Sequence, residues 1–112
     1  MTPQSAKAKG RKLQKWFRQL LIDQLNINPE DLESRSMGAG GEDLIMSSVA
    51  RQMFPYSVEC KNQESLNVWN AFEQAKKNSG VYEPILIIKK NRKTPLAVVD
   101  AEHFVQLTET NK

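Results

Sequence analysis

Cysteine and histidine are almost missing: Cys60 and His103 are the only ones among 112 residues. Their scarcity excludes a disulfide scaffold and a Cys/His zinc site, and leaves little for Ser-His or Cys-His nucleophilic catalysis. Long apolar runs are also missing. The longest aliphatic stretch is Ile85-Leu86-Ile87-Ile88, far short of the ~20 residues that span a bilayer and too short for a signal-peptide core. A lone thiol with no targeting segment fits a reducing cytoplasm, which is the expected location. Acids are missing from one end. Residues 1–22 hold Lys7, Lys9, Arg11, Lys12, Lys15 and Arg18 without a single Asp or Glu, although the whole chain carries a net charge of only +3.

What is present is the material of one ordinary globular domain, 39% hydrophobic and 26% charged. The length suffices for a single core and not for two. Residues 1–9 read as a flexible basic leader and 10–112 as the domain. Over 10–26, Leu13, Trp16, Phe17, Leu20, Leu21 and Leu25 recur at three- and four-residue spacing, the apolar face of a helix with Trp16 and Phe17 as core anchors. Arg11, Lys12, Lys15 and Arg18 fall away from that face, and Gln14 lies on its flank, at the border between core and solvent.

Asn28-Pro29-Glu30-Asp31 predicts a capped turn of helix, and 34–36 the start of a strand. The glycine-rich stretch 37–41 reads as a turn, because no phosphate-loop Lys-Ser/Thr follows it. Residues 43–47 predict a strand. Ser47 or Ser48 then caps a short helix through Arg51, stopped by Pro55. The strand carrying Glu59 follows. Ser65 is expected to cap a helix over 66–79 with Val68, Trp69, Phe72 and Ala75 inward and Gly80 as its stop. Residues 83–89 predict a buried strand, 91–93 a turn and 95–99 a partner strand, and Asp100 caps a last helix to about Leu107. The result is an α/β fold: a central mixed sheet flanked by helices, in the order α-β-β-β-α-β-β-α.

The chemistry concentrates between Gly41 and Lys61. Strand side chains alternate faces, so Tyr56, Val58 and Cys60 share one side of their strand and Ser57, Glu59 and Lys61 the other. Burying the first set presents a carboxylate and an ammonium together. With Asp43 arriving from a neighbouring strand, the three make a divalent-metal site with a lysine beside it, as phosphodiester cleavage requires. Glu-x-Lys alone is weak, since chance supplies about 0.4 such triplets in a chain this long. The clean alternation around it, the Gly-Gly-Glu-Asp entry and the basic helix upstream add weight. A second basic group, Lys76, Lys77, Lys89, Lys90, Arg92 and Lys93, suits a solvated hairpin as well as a polyanion contact.

Glu42-Asp43 and Glu59-Cys60-Lys61, in this order of elements, resemble the PD-(D/E)XK nuclease superfamily, and within it the small Holliday-junction-resolvase-like and phage-encoded endonucleases. The resemblance runs from Lys9 to about Val99. It implies a restriction-endonuclease-like core, and Mg²⁺ or Mn²⁺ held by Asp43, Glu59 and the backbone carbonyl of Cys60, with Lys61 as the family's lysine. It further implies a DNA substrate, branched or duplex, and symmetric cutting calls for a homodimer. Position 42 is Glu where the family has proline. Many resolvase-like members carry a glutamate on the first helix, and the corresponding site here is Gln14, able to hold a water on the metal but adding no charge. Gln63, on the same face as Lys61, is a weaker catalytic candidate, and Gln74 is expected to face solvent. Arg11, Lys12, Lys15 and Arg18 would hold DNA phosphates and read shape rather than sequence. Two other readings stay open: a non-catalytic nucleic-acid-binding module that keeps the nuclease fold, and a small interaction protein whose acids are simply surface.

Overall fold

The computed structural model describes residues 3–36 and 40–109, and Met37, Gly38 and Ala39 of the glycine-rich stretch lie outside them. The chain begins with a long helix, α1 (Pro3–Leu25). Periodicity placed its start near Gly10, so most of the expected flexible leader is instead helical. The leader lacks an apolar stripe, but proline in the first turn and the good helix formers Gln, Ala and Lys make it helical. Leu13, Phe17 and Leu21, four residues apart, bury one stripe of α1. Asn26, at φ 56°, supplies the left-handed residue that ends the helix.

A 3₁₀ turn (Pro29–Asp31) follows, capped by the Asn28 side chain, which accepts from the Glu30 amide. Two short strands, β1 (Leu32–Ser34) and β2 (Leu44–Met46), pair antiparallel. β1 thus starts two residues ahead of its expected place. Helix α2 (Ser48–Met53) is capped by Ser47 as expected. Strand β3 (Tyr56–Asn62) pairs parallel with β4 (Glu83–Lys89), which pairs antiparallel with β5 (Leu96–Val98). Between β3 and β4 lies α3 (Val68–Lys77), and α4 (Ala101–Glu109) ends the described chain, its first-turn Glu102 amide donating to the Asp100 carboxylate. No helix among the described residues is long and apolar enough to cross a membrane.

The fold is mixed α/β, and its strands form two sheets rather than one central sheet: β1-β2 and β3-β4-β5. The seam between them is short. Asp43, one residue before β2, donates its amide to the carbonyl of Val58 at 2.8 Å. α1 covers one face of β3, where Leu13, Phe17 and Leu21 join Val58, Cys60, Ile85 and Ile87 in the core. α3 covers the other face. Its cap is Asn67 rather than Ser65, and Ala71 and Ala75 are its buried residues. Trp69, expected inward, is 82% exposed, and Trp16, expected as a core anchor, is 45% exposed. Small alanines let α3 approach the sheet closely, and both indoles sit beside their helix's buried stripe rather than within it.

Candidate functional site

The site assembles where the two sheets meet. In β3, the Cys60 amide points away from β4 and donates to Asp43 Oδ2 at 2.6 Å. The Val58 carbonyl reaches Asp43 along the same edge. In a strand, the N–H and C=O of one residue point to the same side. The Cys60 carbonyl therefore faces the Asp43 edge, as the resemblance implies for a metal-facing carbonyl. The Cys60 thiol lies on the opposite, core face, and burial pushes its pKa well above the ordinary value.

Glu59 and Lys61 share the face away from α1, as alternation predicts, with Lys61 Nζ 4.0 Å from Glu59 Oε1. That face was expected to open to solvent, and it does not: Glu59 is only 5% exposed. α3 lies over it, and Asn78, the C-terminal cap of α3, donates to Glu59 Oε2 across 3.5 Å. The Ser57 hydroxyl pins the same cap by donating to the Asn78 carbonyl at 3.4 Å. The Lys61 side chain keeps 24% of its surface, so the way in is from its side.

Gln14 is not a border residue. It is 2% exposed, its Oε1 accepts from the Ser34 hydroxyl at 2.8 Å, and its side chain hydrogen-bonds Asp43. With the oxygen taken by Ser34, the amide NH₂ is the group turned toward the acid. Gln14 is therefore a donor that orients Asp43.

The electrostatics follow from this geometry. Burial raises the pKa of Asp43; the Cys60 amide, Gln14, Lys61 and Arg35 pull it back down in that order. Burial, then repulsion from Asp43, lifts Glu59 to about 7, against weaker opposition from Lys61 and Asn78. Two carboxylates near enough to repel, one partly and one almost wholly buried, are short of positive charge between them. Mg²⁺ or Mn²⁺ fits that deficit with Asp43, Glu59 and the Cys60 carbonyl as oxygen donors. No three His, Cys, Asp or Glu side chains converge among the described residues, so the rest of an ion's shell would be water and substrate.

Glu42, in the proline position, has a structural partner: it pairs with Arg51. Arg51 also donates to the Tyr56 carbonyl at 3.0 Å and lies 4.2 Å over the Tyr82 ring, which fastens α2 to β3. Gly41, at φ +95°, would place a Cβ 3.3 Å from the Arg35 guanidinium. That φ favours glycine, and a side chain there would crowd Arg35, which donates to the Glu42 carbonyl at 2.5 Å and lends its charge to Asp43.

The other candidates lie apart. Gln63 is past the end of β3 and exposed, its backbone N–H donating to the Lys89 carbonyl at 3.0 Å, and its side chain makes no hydrogen bond to Asp43 or Glu59. Gln74 is exposed as expected. Arg18 is a strut rather than a free phosphate contact: it donates to the carbonyls of Leu32 at 2.6 Å and Pro29 at 2.9 Å. Arg11, Lys12 and Lys15 are exposed on α1. Sequence reasoning missed Ser34, Arg35 and Asn78. A serine or arginine one turn from a glycine loop carries no signal of its own, whereas Asn78 before Ser79-Gly80 marks a helix end that could reach a neighbouring strand.

No protein-family model, no curated protein and no solved structure matches the chain.

Proposed function

We propose that the protein is a metal-dependent nuclease that hydrolyses DNA phosphodiester bonds, an endonuclease selecting its substrate by structure rather than sequence. The observation that carries this is the pair Asp43 and Glu59 meeting across the sheet seam with Lys61 4.0 Å from the second acid. Asp43, Glu59 and the Cys60 carbonyl would hold Mg²⁺ or Mn²⁺. A bound ion of this kind supplies Lewis-acid polarisation of a phosphoryl oxygen and a water of lowered pKa.

The chain's own residues do the rest. Lys61 is a compact positive charge beside the acids, placed to offset negative charge growing on the phosphate as the leaving oxygen departs. Gln14 and the Cys60 amide fix Asp43 in one orientation, so no reorganisation is needed when phosphate arrives. Asn78 does the same for Glu59. Arg11, Lys12 and Lys15 would position the DNA backbone, with binding that weakens evenly over sequences as salt rises.

A second reading, the non-catalytic nucleic-acid-binding module, is favoured by one observation: Gln14 serves Asp43 and leaves the site one carboxylate short of many resolvase-like members. A single gel separates the two. Labelled branched, duplex and single-stranded DNAs are incubated with and without Mg²⁺ beside the Glu59→Gln protein. Cleavage that needs both Mg²⁺ and Glu59 supports the nuclease. Binding indifferent to Mg²⁺, with every DNA left intact, supports the module.

A further inference from the structure

Helical spacing splits the basic residues of α1. Lys9, Lys12 and Trp16 follow one another at three- and four-residue intervals along one flank, whereas Arg11 and Arg18 lie along the other. The Lys9 flank borders a pocket of about 380 Å³, whose other walls include Asn62, Lys89 and Asn91. That volume lies within the range of small-ligand sites.

Two polar atoms of these residues are buried without a hydrogen-bond partner: the Lys9 ammonium and Asn62 Oδ1. Lys9 has only a 3.9 Å ion pair with Glu64, whose carboxylate already accepts from the Asn91 amide at 2.6 Å. Asn62 donates its NH₂ to the Lys9 carbonyl at 3.1 Å, which holds its oxygen in place. Beside this donor and acceptor stands Trp16, 45% exposed. Those two atoms are closed off within the wall, and what the pocket opens to a ligand is the exposed Lys12 and the indole of Trp16: charge for a nucleotide's phosphate and a flat surface for its ring.

The position narrows the ligand. Asn62 follows Lys61 directly on β3, but its side chain lies on the opposite face. The pocket therefore lies on the α1 side of the sheet, and a base can lie flat on its indole only when it is not paired in a duplex. We infer that this pocket is a subsite for an unpaired nucleotide flanking the phosphate at the acids, its base lying on Trp16 and its phosphate against Lys12 and Lys89. The inference rests on the nucleic-acid reading above and narrows it to DNA that exposes unpaired nucleotides.

The test uses a Trp69→Phe protein, which leaves Trp16 as the sole indole, in EDTA so that no cleavage intervenes. Binding of a twelve-nucleotide oligo(dT), an abasic chain of equal charge and a blunt duplex is followed by anisotropy of labelled DNA and by Trp16 fluorescence. Oligo(dT) is expected to quench Trp16, and the abasic chain to bind without quenching it. The substitution Trp16→Leu is expected to weaken oligo(dT) about tenfold and leave the abasic chain unchanged, with Trp16→Phe intermediate. Lys12→Ala should weaken both. Circular dichroism checks that each variant is folded. Equal quenching by the abasic chain, or a folded Trp16→Leu protein that binds oligo(dT) undiminished, overturns the subsite and leaves the nuclease reading standing. Failure of every DNA to bind at low salt overturns both.

Discussion

The two carboxylates of the site are equipped very differently. Asp43 has the Cys60 amide, the Gln14 side chain and the charges of Lys61 and Arg35 to offset its burial. Glu59 lies deeper, feels Asp43 as a like charge, and has only Lys61 and a long bond from Asn78. Asp43 is an anchored group and Glu59 an unsatisfied one. The contrast teaches where a cation would act: its stabilising effect would fall mainly on Glu59, the acid that the protein itself leaves short of positive charge.

The largest effect expected is catalytic. Replacing Lys61 by Ala removes the ammonium beside Glu59, and single-turnover cleavage with saturating Mg²⁺ should slow by about 10²–10³-fold. Undiminished cleavage would break the comparison at its centre.

Next comes stability. A folded-state pKa of about 7 against 4.5 for free glutamate means that the folded protein binds the extra proton between those values. Stability therefore falls as pH rises from 4.5 to 7 and stays lowered above that, by about 3 kcal/mol in all at 1.36 kcal/mol per unit. Glu59→Gln, which stays neutral, should match the native protein below pH 4.5 and exceed it by that order at pH 8 in EDTA. Urea denaturation at the two pH values measures this, and Mg²⁺ should narrow the gap by stabilising only the native protein. A constant difference across pH would show that Glu59 is not the strained partner.

Gln14→Met keeps the volume and removes the donor to Asp43. It should cost about 1–3 kcal/mol, since the lost bond is to a charged acceptor and the Ser34 hydroxyl is left without its partner. Unlike the Glu59 change, it should destabilise at pH 8. The smallest effect expected is that of Asn78→Ala, below about 1 kcal/mol, because its bond to Glu59 is long. The Glu59 titration, followed by NMR, should move up slightly. A downward move would mean that Asn78 does not favour the charged acid.

Much of this was legible in the residues. Alternation over Tyr56 to Lys61 assigned each side chain of β3 to its correct face, because one face must meet the apolar stripe of α1. Ser47, Asn28 and Asp100 announced their caps, because a short polar side chain before a helical run has a single local use. What stayed hidden depended on neighbours distant in sequence. Nothing in Glu59-Cys60-Lys61 says that the cap of α3 will settle over the glutamate, nor that Ser34 will take the oxygen of Gln14 and turn its amide toward Asp43. Trp16 and Trp69 misled because hydrophobic spacing locates a stripe but not its edges, and each indole lies at an edge.

Asp43 is also a fastener. Its amide, carbonyl and carboxylate engage Val58, Arg35 and Cys60 respectively, so the β1-β2 hairpin is sewn to β3 through this one residue. An alanine there would remove chemistry and a stitch together, and an inactive product would not reveal which loss mattered. Asparagine keeps an oxygen for the Cys60 amide, which makes Asp43→Asn the appropriate silent form for trapping substrate complexes.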